Sequence, residues 1–86
     1  MAVKVLKFGG SSLADAEHFK KVANIIKSDP SRRYVVVSAP GKRTPDDQKV
    51  TDMLYKCYEL TRDGEEIDSV FVCIIRRYEK IIKDLG

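Results

Sequence analysis

Apolar positions along this chain fall into two short dense runs and three longer periodic ones. Ala2 to Phe8 reads as a strand with apolar residues on both faces, and Tyr34-Val35-Val36-Val37-Ser38 reads as a second. Such runs suit parallel strands covered on both sides. Between them, Ala16, Phe19, Ala23 and Ile26 recur at spacings of three and four, with Lys20, Lys21 and Lys27 off that face. This predicts a helix from about Leu13 to Ser28. Ser12 with Asp15 resembles a capping pair at its start, and Asp29-Pro30-Ser31 breaks it. Two strands joined by a helix form a βαβ unit, so they should be parallel with a right-handed crossover.

After the polar loop Ala39 to Asp47, a second helix carries Val50, Met53, Leu54, Cys57 and Leu60 on one face, and Arg62-Asp63-Gly64 ends it. Val70 to Ile75 could pass for a strand. However, Phe71, Ile74, Ile75, Tyr78, Ile81, Ile82 and Leu85 keep three–four spacing, which predicts a helix. Two parallel strands fall short of the about four to six of a usual sheet, and three apolar helix faces require more sheet than is present. The expected fold is therefore α/β: a βαβ unit plus two further helices, the first part of a larger domain with a parallel sheet.

Composition narrows the classes. At 86 residues the chain is at most one small domain. Charged and apolar residues are both plentiful, which argues against disorder. No apolar run approaches the roughly 18 residues of a membrane span, and no signal-peptide layout opens the chain. Met1 leading directly into a strand suggests a cytoplasmic N-terminus. A net charge of +3 is too weak to imply nucleic acid. Cys57 and Cys73 lack metal-ligand spacing and read as buried free thiols. His18 reads as an exposed surface histidine with no partner for a catalytic dyad. Arg76-Arg77-Tyr78-Glu79-Lys80 reads as part of an ordinary amphipathic helix.

The candidate chemistry lies in Lys7-Phe8-Gly9-Gly10-Ser11-Ser12. A strand ending in a lysine, two glycines and two hydroxyls, then turning into a helix, suits an anion. Glycine permits close backbone approach, and a helix start offers free N–H groups and a positive dipole end. In open parallel sheets ligands bind beyond the carboxyl ends of the strands. The loop after the second strand, Ser38-Ala39-Pro40-Gly41-Lys42, lies at that same edge. Lys7, Ser11 and Ser38 should then converge in one volume. The plainer alternative is that the glycines only make turns and the serines only cap. Neither a P-loop nor a G-x-G-x-x-G string is present.

Val5-Leu6-Lys7-Phe8-Gly9-Gly10-Ser11-Ser12-Leu13 resembles the N-terminal signature of aspartate kinases, within the amino-acid kinase group. Val35-Val36-Val37-Ser38-Ala39 is similar to their second-strand motif, and Val50-Thr51-Asp52-Met53-Leu54 to the hydroxyl-bearing helix start that follows. The loop from Pro40 to Lys49 is longer than in many members. The resemblance implies the N-terminal fragment of a three-layer α/β/α amino-acid kinase domain, residues 1–86 being an incomplete portion of it. It implies transfer of the γ-phosphoryl of Mg2+-ATP to the side-chain carboxylate of L-aspartate, giving 4-phospho-L-aspartate on the route to lysine, threonine and methionine. It makes Lys7 the catalytic cation, and Lys7, Phe8, Gly9, Gly10 and Ser11 the nucleotide-binding residues. Ser38 and Thr51 become substrate-facing positions, and no residue is assigned to a metal.

Implied partners are ATP and L-aspartate, in a cytoplasmic homo-oligomer without nucleic acid or membrane. Lys42 and Arg43 receive no role and read as a solvated basic loop. Thr51 carries a tension. Thr44-Pro45-Asp46-Asp47 also reads as a helix start, which would bury Thr51 inside the helix, whereas a start near Thr51 lets its hydroxyl face the site. The resemblance favours the later start. Much of the family's domain, including its adenosine site, has no counterpart here, so the 86 residues by themselves should be inactive. Two other readings stand beside this one: a non-catalytic, self-associating α/β fragment, and an amino-acid kinase with another carboxylate acceptor.

Overall fold

The computed structural model describes residues 2–86, so Met1 and the expectation placed on it lie outside the described residues. Strand β1, Lys4–Phe8, pairs in parallel with β2, Arg32–Val37. Lys7 stands opposite Val36 and Phe8 opposite Val37. The ladder extends past the strand ends, because the Ser38 N–H donates to the Phe8 carbonyl at 3.1 Å. Between the strands the chain makes a 3-10 turn at Gly10–Leu13 and then helix α1, Ala16–Lys27. The expected helix start at Leu13 is thus a tighter turn. Its cap is Asp15 itself, which accepts from the His18 backbone N–H at 2.9 Å, and not a Ser12–Asp15 pair. Ser12 is held inside the turn by its own N–H, which donates to the Gly9 carbonyl at 3.1 Å.

Helices α2, Val50–Arg62, and α3, Asp68–Leu85, follow. The three–four spacing thus prevails over the strand-like run at Val70 to Ile75. Gly64, with φ of 73°, closes α2 in a conformation that costs glycine nothing. Both α1 and α2 pack on α3. The core joins Val50 and Met53 of α2 to Ile74 of α3, with Ala39, Cys57 and Val70 against them. Leu13, in the 3-10 turn, is also fully buried. The buried apolar surface therefore gathers beside the loops that follow the strands, where any site would need rigid support.

The sheet departs from expectation. Both strands were read as covered on two faces, yet Val5 is 70% exposed and Tyr34, Val36 and Val37 are exposed as well. The more extensive helix contacts are α1 and α2 on α3. The radius of gyration is 15.6 Å and the longest dimension 53 Å, against about 12 Å radius for a closed domain of this length. Accessible surface is 6475 Å2, about a quarter above the roughly 5,200 Å2 such a mass exposes when fully closed. Parallel strands rich in valine suit a sheet with further strands and helices over it. These residues alone do not supply them.

Candidate functional site

The turn after β1 and the loop after β2 meet through two glycines. The Gly41 N–H donates to the Gly10 carbonyl at 2.8 Å. A Cβ on Gly41 would lie 2.6 Å from the Gly10 carbonyl carbon and 2.9 Å from the Ser11 nitrogen. Only glycine fits there, for reasons of space and not of φ. Gly10 is nearly as tight, its added Cβ meeting the Ala39 carbonyl oxygen at 3.1 Å. Gly9 differs: it has extended backbone and nothing within 4 Å of an added Cβ.

This contact borders a cavity of about 540 Å3, lined by hydroxyl-bearing residues of three segments: Ser11 of the turn, Ser38 just after β2 and Thr51 of α2. Lys42 and Lys49 line it too, with Asp52 as the one acidic side chain. The helix-start tension resolves in favour of the later start. Thr44 begins a tight turn, with the Asp47 N–H donating to its carbonyl at 3.1 Å, and the Val50 N–H donates to the Pro40 carbonyl at 3.0 Å. Helix α2 begins only at Val50, so Thr51 sits in its first turn, and the positive end of the helix opens on the cavity. Lys7, Phe8 and Gly9 are not in the lining. Lys7 is exposed on β1, short of the convergence expected of it with Ser11 and Ser38. Lys42, read as a solvated loop residue, is exposed and yet lines the cavity.

Beneath the loops lies a group the sequence reading passed over. Arg77 of α3 is only 5% exposed. Its guanidinium donates to the carbonyls of Gly41 at 2.7 Å, Gln48 at 2.8 Å and Ala14 at 3.2 Å. One planar cation thereby ties the end of the 3-10 turn to both ends of the β2–α2 loop, a fork geometry that lysine lacks. The signal lay in spacing, because Arg77 shares a face with Ile74 and Ile81, the buried positions of α3.

Asp47 supports the same loop. It accepts from Arg43 Nε at 2.6 Å and Nη2 at 3.0 Å, and lies 3.5 Å from Arg77. Arg43 is therefore paired and not freely solvated. The Arg43 hydrogen bond, aided by backbone donors and the Arg77 charge, holds the Asp47 carboxyl far below the usual range. A carboxyl depressed on folding stabilises the fold above its unfolded value near 3.9, and that contribution fades as pH falls through the folded value. Melting temperature should therefore hold between about pH 5 and 7 and drop below about pH 4. Asp47→Asn should lower it at pH 7 and flatten the acid slope, as thermal melts across pH will show. An unchanged acid slope in the variant would place that sensitivity elsewhere, for instance at Asp29, which bonds Lys4 at 2.7 Å.

Two minor expectations need revision. His18 has a partner after all, its Nδ1 lying 2.5 Å from Asp15 Oδ1 with both side chains about two-fifths exposed. The pair belongs to the helix cap, and neither residue lines the cavity. Of the cysteines, both free, Cys57 is half-buried and Cys73 exposed, so neither is a core thiol. Among the described residues no group of three or more His, Cys, Asp or Glu could hold a metal ion. Among the described residues no helix is long and apolar enough to cross a membrane.

Comparison with known proteins gives one consistent family. The model of the amino acid kinase family matches residues 2–80. Aspartokinase 3 of Bacillus subtilis is 45% identical over 83 residues, covering 96% of this chain and 18% of that protein. Chloroplastic aspartokinase 2 of Arabidopsis thaliana is 58% identical over 41 residues, 46% of this chain and 8% of that protein. The crystal structure of Clostridium acetobutylicum aspartate kinase, described as an allosteric enzyme, superposes with a TM-score of 0.95 at 50% identity. That match covers 99% of this chain and 20% of the other. The chain thus spans a fifth or less of the length of these relatives.

Proposed function

We propose that this chain, which belongs to the amino acid kinase family, supplies the N-terminal portion of the catalytic domain of a cytoplasmic aspartate kinase. The whole enzyme would move the γ-phosphoryl of ATP to the side-chain carboxylate of L-aspartate, feeding lysine, threonine and methionine synthesis. The observation that supports this most is the meeting of Ser11, Ser38 and Thr51 around one cavity closed by the Gly10–Gly41 contact.

The reaction asks little covalent chemistry of the protein. The aspartate carboxylate, with a pKa near 3.9, is ionised at neutral pH. One of its oxygens bonds to the γ-phosphorus as the bond to the ADP oxygen breaks, and no general base is needed. The barrier lies in bringing two anions in line, which positioning and positive charge relieve. Lys7, on its flexible stem at the end of β1, would neutralise the phosphoryl in flight. Gly9, with open space where a side chain would stand, lets phosphate oxygens approach the backbone, beside Phe8, Gly10 and Ser11. Ser38 and Thr51 would orient the amino acid. The residues present fit an anion. Mg2+ would arrive on the nucleotide phosphates, its usual mode with few protein ligands.

A chimera tests the proposal: this chain in place of the matching segment of the Bacillus subtilis protein. It should phosphorylate aspartate, and Lys7→Ala in it should lower kcat by about a hundredfold or more. A folded but inactive chimera, or an indifferent Lys7→Ala, would sink the assignment. The 86-residue chain alone should transfer no phosphate. A second reading, self-association, is favoured by the exposed Val5, Tyr34, Val36 and Val37. Light scattering of the isolated chain should then report dimers or larger, and a monomer at high concentration would count against it.

A further inference from the structure

A second cavity, of about 340 Å3, lies between α3 and the β2–α2 loop and shares no lining residue with the first. That volume is within the range of small-molecule sites. Four cationic side chains line it, Arg43, Arg76, Arg77 and Lys80, against the single carboxylate of Asp47. The carboxylate is already engaged by the forked Arg43 pair, so the lining keeps a surplus of positive charge. Two of the cations are fixed in place: Arg43 by Asp47, and Arg77 by three backbone carbonyls. Their positions are set before any ligand arrives, which removes an ordering cost from binding. Burial first, and the nearby Arg43 charge second, pull the Arg77 guanidinium below its ordinary value.

The other two stand one turn apart on α3, where i and i+4 side chains reach the same point. Arg76 and Lys80 are both exposed. Lys80 makes a solvent-facing pair with Asp84 at 2.8 Å, an interaction of little worth that a dianion can displace. Met53 and Cys73 complete the wall with apolar surface. Nothing in the proposed transfer reaction uses this cleft.

We infer that the cleft between α3 and the β2–α2 loop is a binding site for a small phosphate dianion, either free phosphate or a phosphate monoester. Arg76 and Lys80 supply the mobile N–H donors, while Arg43 and Arg77 supply fixed charge. The inference is independent of the transfer reaction proposed above. A monoester bearing a small apolar group gains contact with Met53 and Cys73, which free phosphate cannot.

The test is a titration of the isotope-labelled chain with inorganic phosphate, and separately with phenyl phosphate, at low and constant ionic strength. Amide shifts are followed by NMR, with chloride as the control for screening. Saturable shifts at residues 43–48 and 73–80 are expected, tighter for phenyl phosphate if the monoester is the true class and equal if free phosphate is. Arg76→Gln with Lys80→Gln should weaken them at least about tenfold, the cost of a charge-assisted hydrogen bond. Because both side chains are exposed, the melting temperature should not move, and Lys80→Gln alone should give an intermediate loss. Ser11→Ala should leave the affinity at this cleft unchanged. Shifts confined to residues 9–12, shifts reproduced by chloride, or undiminished binding in the double variant would each overturn the inference.

Discussion

Arg77→Ala should cost about 3–5 kcal/mol, the usual penalty for removing one member of a buried charged network. The variant leaves three carbonyls, of Ala14, Gly41 and Gln48, without the donor that now serves them. It also leaves Asp47 with one cation fewer. For a chain of this size total stability is on the order of 4–13 kcal/mol, so the loss approaches unfolding. Arg77→Met separates packing from bonding, because it refills the volume and restores no hydrogen bond; it should recover only a minor part of the loss. Arg77→Lys should recover little more, since an ammonium cannot fork to three carbonyls held at separate angles. Urea denaturation followed by circular dichroism measures all three. A methionine variant as stable as the parent would show that the guanidinium contributes volume alone.

Gly41→Ala should be nearly as damaging, at about 3 kcal/mol, toward the upper range for forcing an atom into filled space. The added methyl would press on the Gly10 carbonyl and the Ser11 nitrogen, which are backbone atoms and cannot rotate away. One turn must separate from the other, breaking the 2.8 Å hydrogen bond between them. Gly9→Ala is the matched control. With an ordinary φ of −77° and open space at its Cβ position, it should leave stability unchanged or raise it by about 0.4–1 kcal/mol. On the role proposed for Gly9 the order should reverse in kind in the chimera: Gly9→Ala folds well yet loses activity, because its methyl would stand where phosphate is proposed to approach. A Gly41→Ala chain that melts with the parent, or a Gly9→Ala chimera of full activity, would contradict the respective claim.

The elements themselves could be read from the sequence because each has a dominant period. Helix α3 is the clearest instance: six residues of strand-like composition at Val70 to Ile75 were outweighed by apolar spacing that continued to Leu85. The exposure of the strands has a related reason. A valine-rich run states how buried a strand is in its complete sheet, and Val36 and Val37 carry that preference with only one neighbour each. Ser12 and Asp15 both suit a cap, and a local pattern could not say that Ser12 would be taken into a 3-10 turn. Thr51 depended on whether Thr44 would start a helix or a turn. The Val50–Pro40 hydrogen bond, a contact between loop and helix, decided it.

Spacing put Arg77 on the buried face of α3, but what it bonds there was out of reach for a different reason. An arginine in an amphipathic helix is ordinarily solvated, and three acceptors lying 29, 36 and 63 positions away leave no local trace. Spacing alone identified the residues of both loops, while their mutual contact, the one place where Gly41 is required, depends on tertiary closure.

The reach of Arg77 back along the chain also sets an order of events during synthesis. Both loops emerge from the ribosome well before residue 77, as do the two strands that present them. Until α3 is made and docks, the turn at Gly10–Leu13 and the loop from Ser38 to Lys49 lack the cation that joins them. Non-local closure of this kind is slow relative to helix formation. A nascent chain halted between Asp52 and Arg77 would therefore hold every residue of the hydroxyl-lined cavity and still present two unlatched loops to the cell's chaperones and proteases.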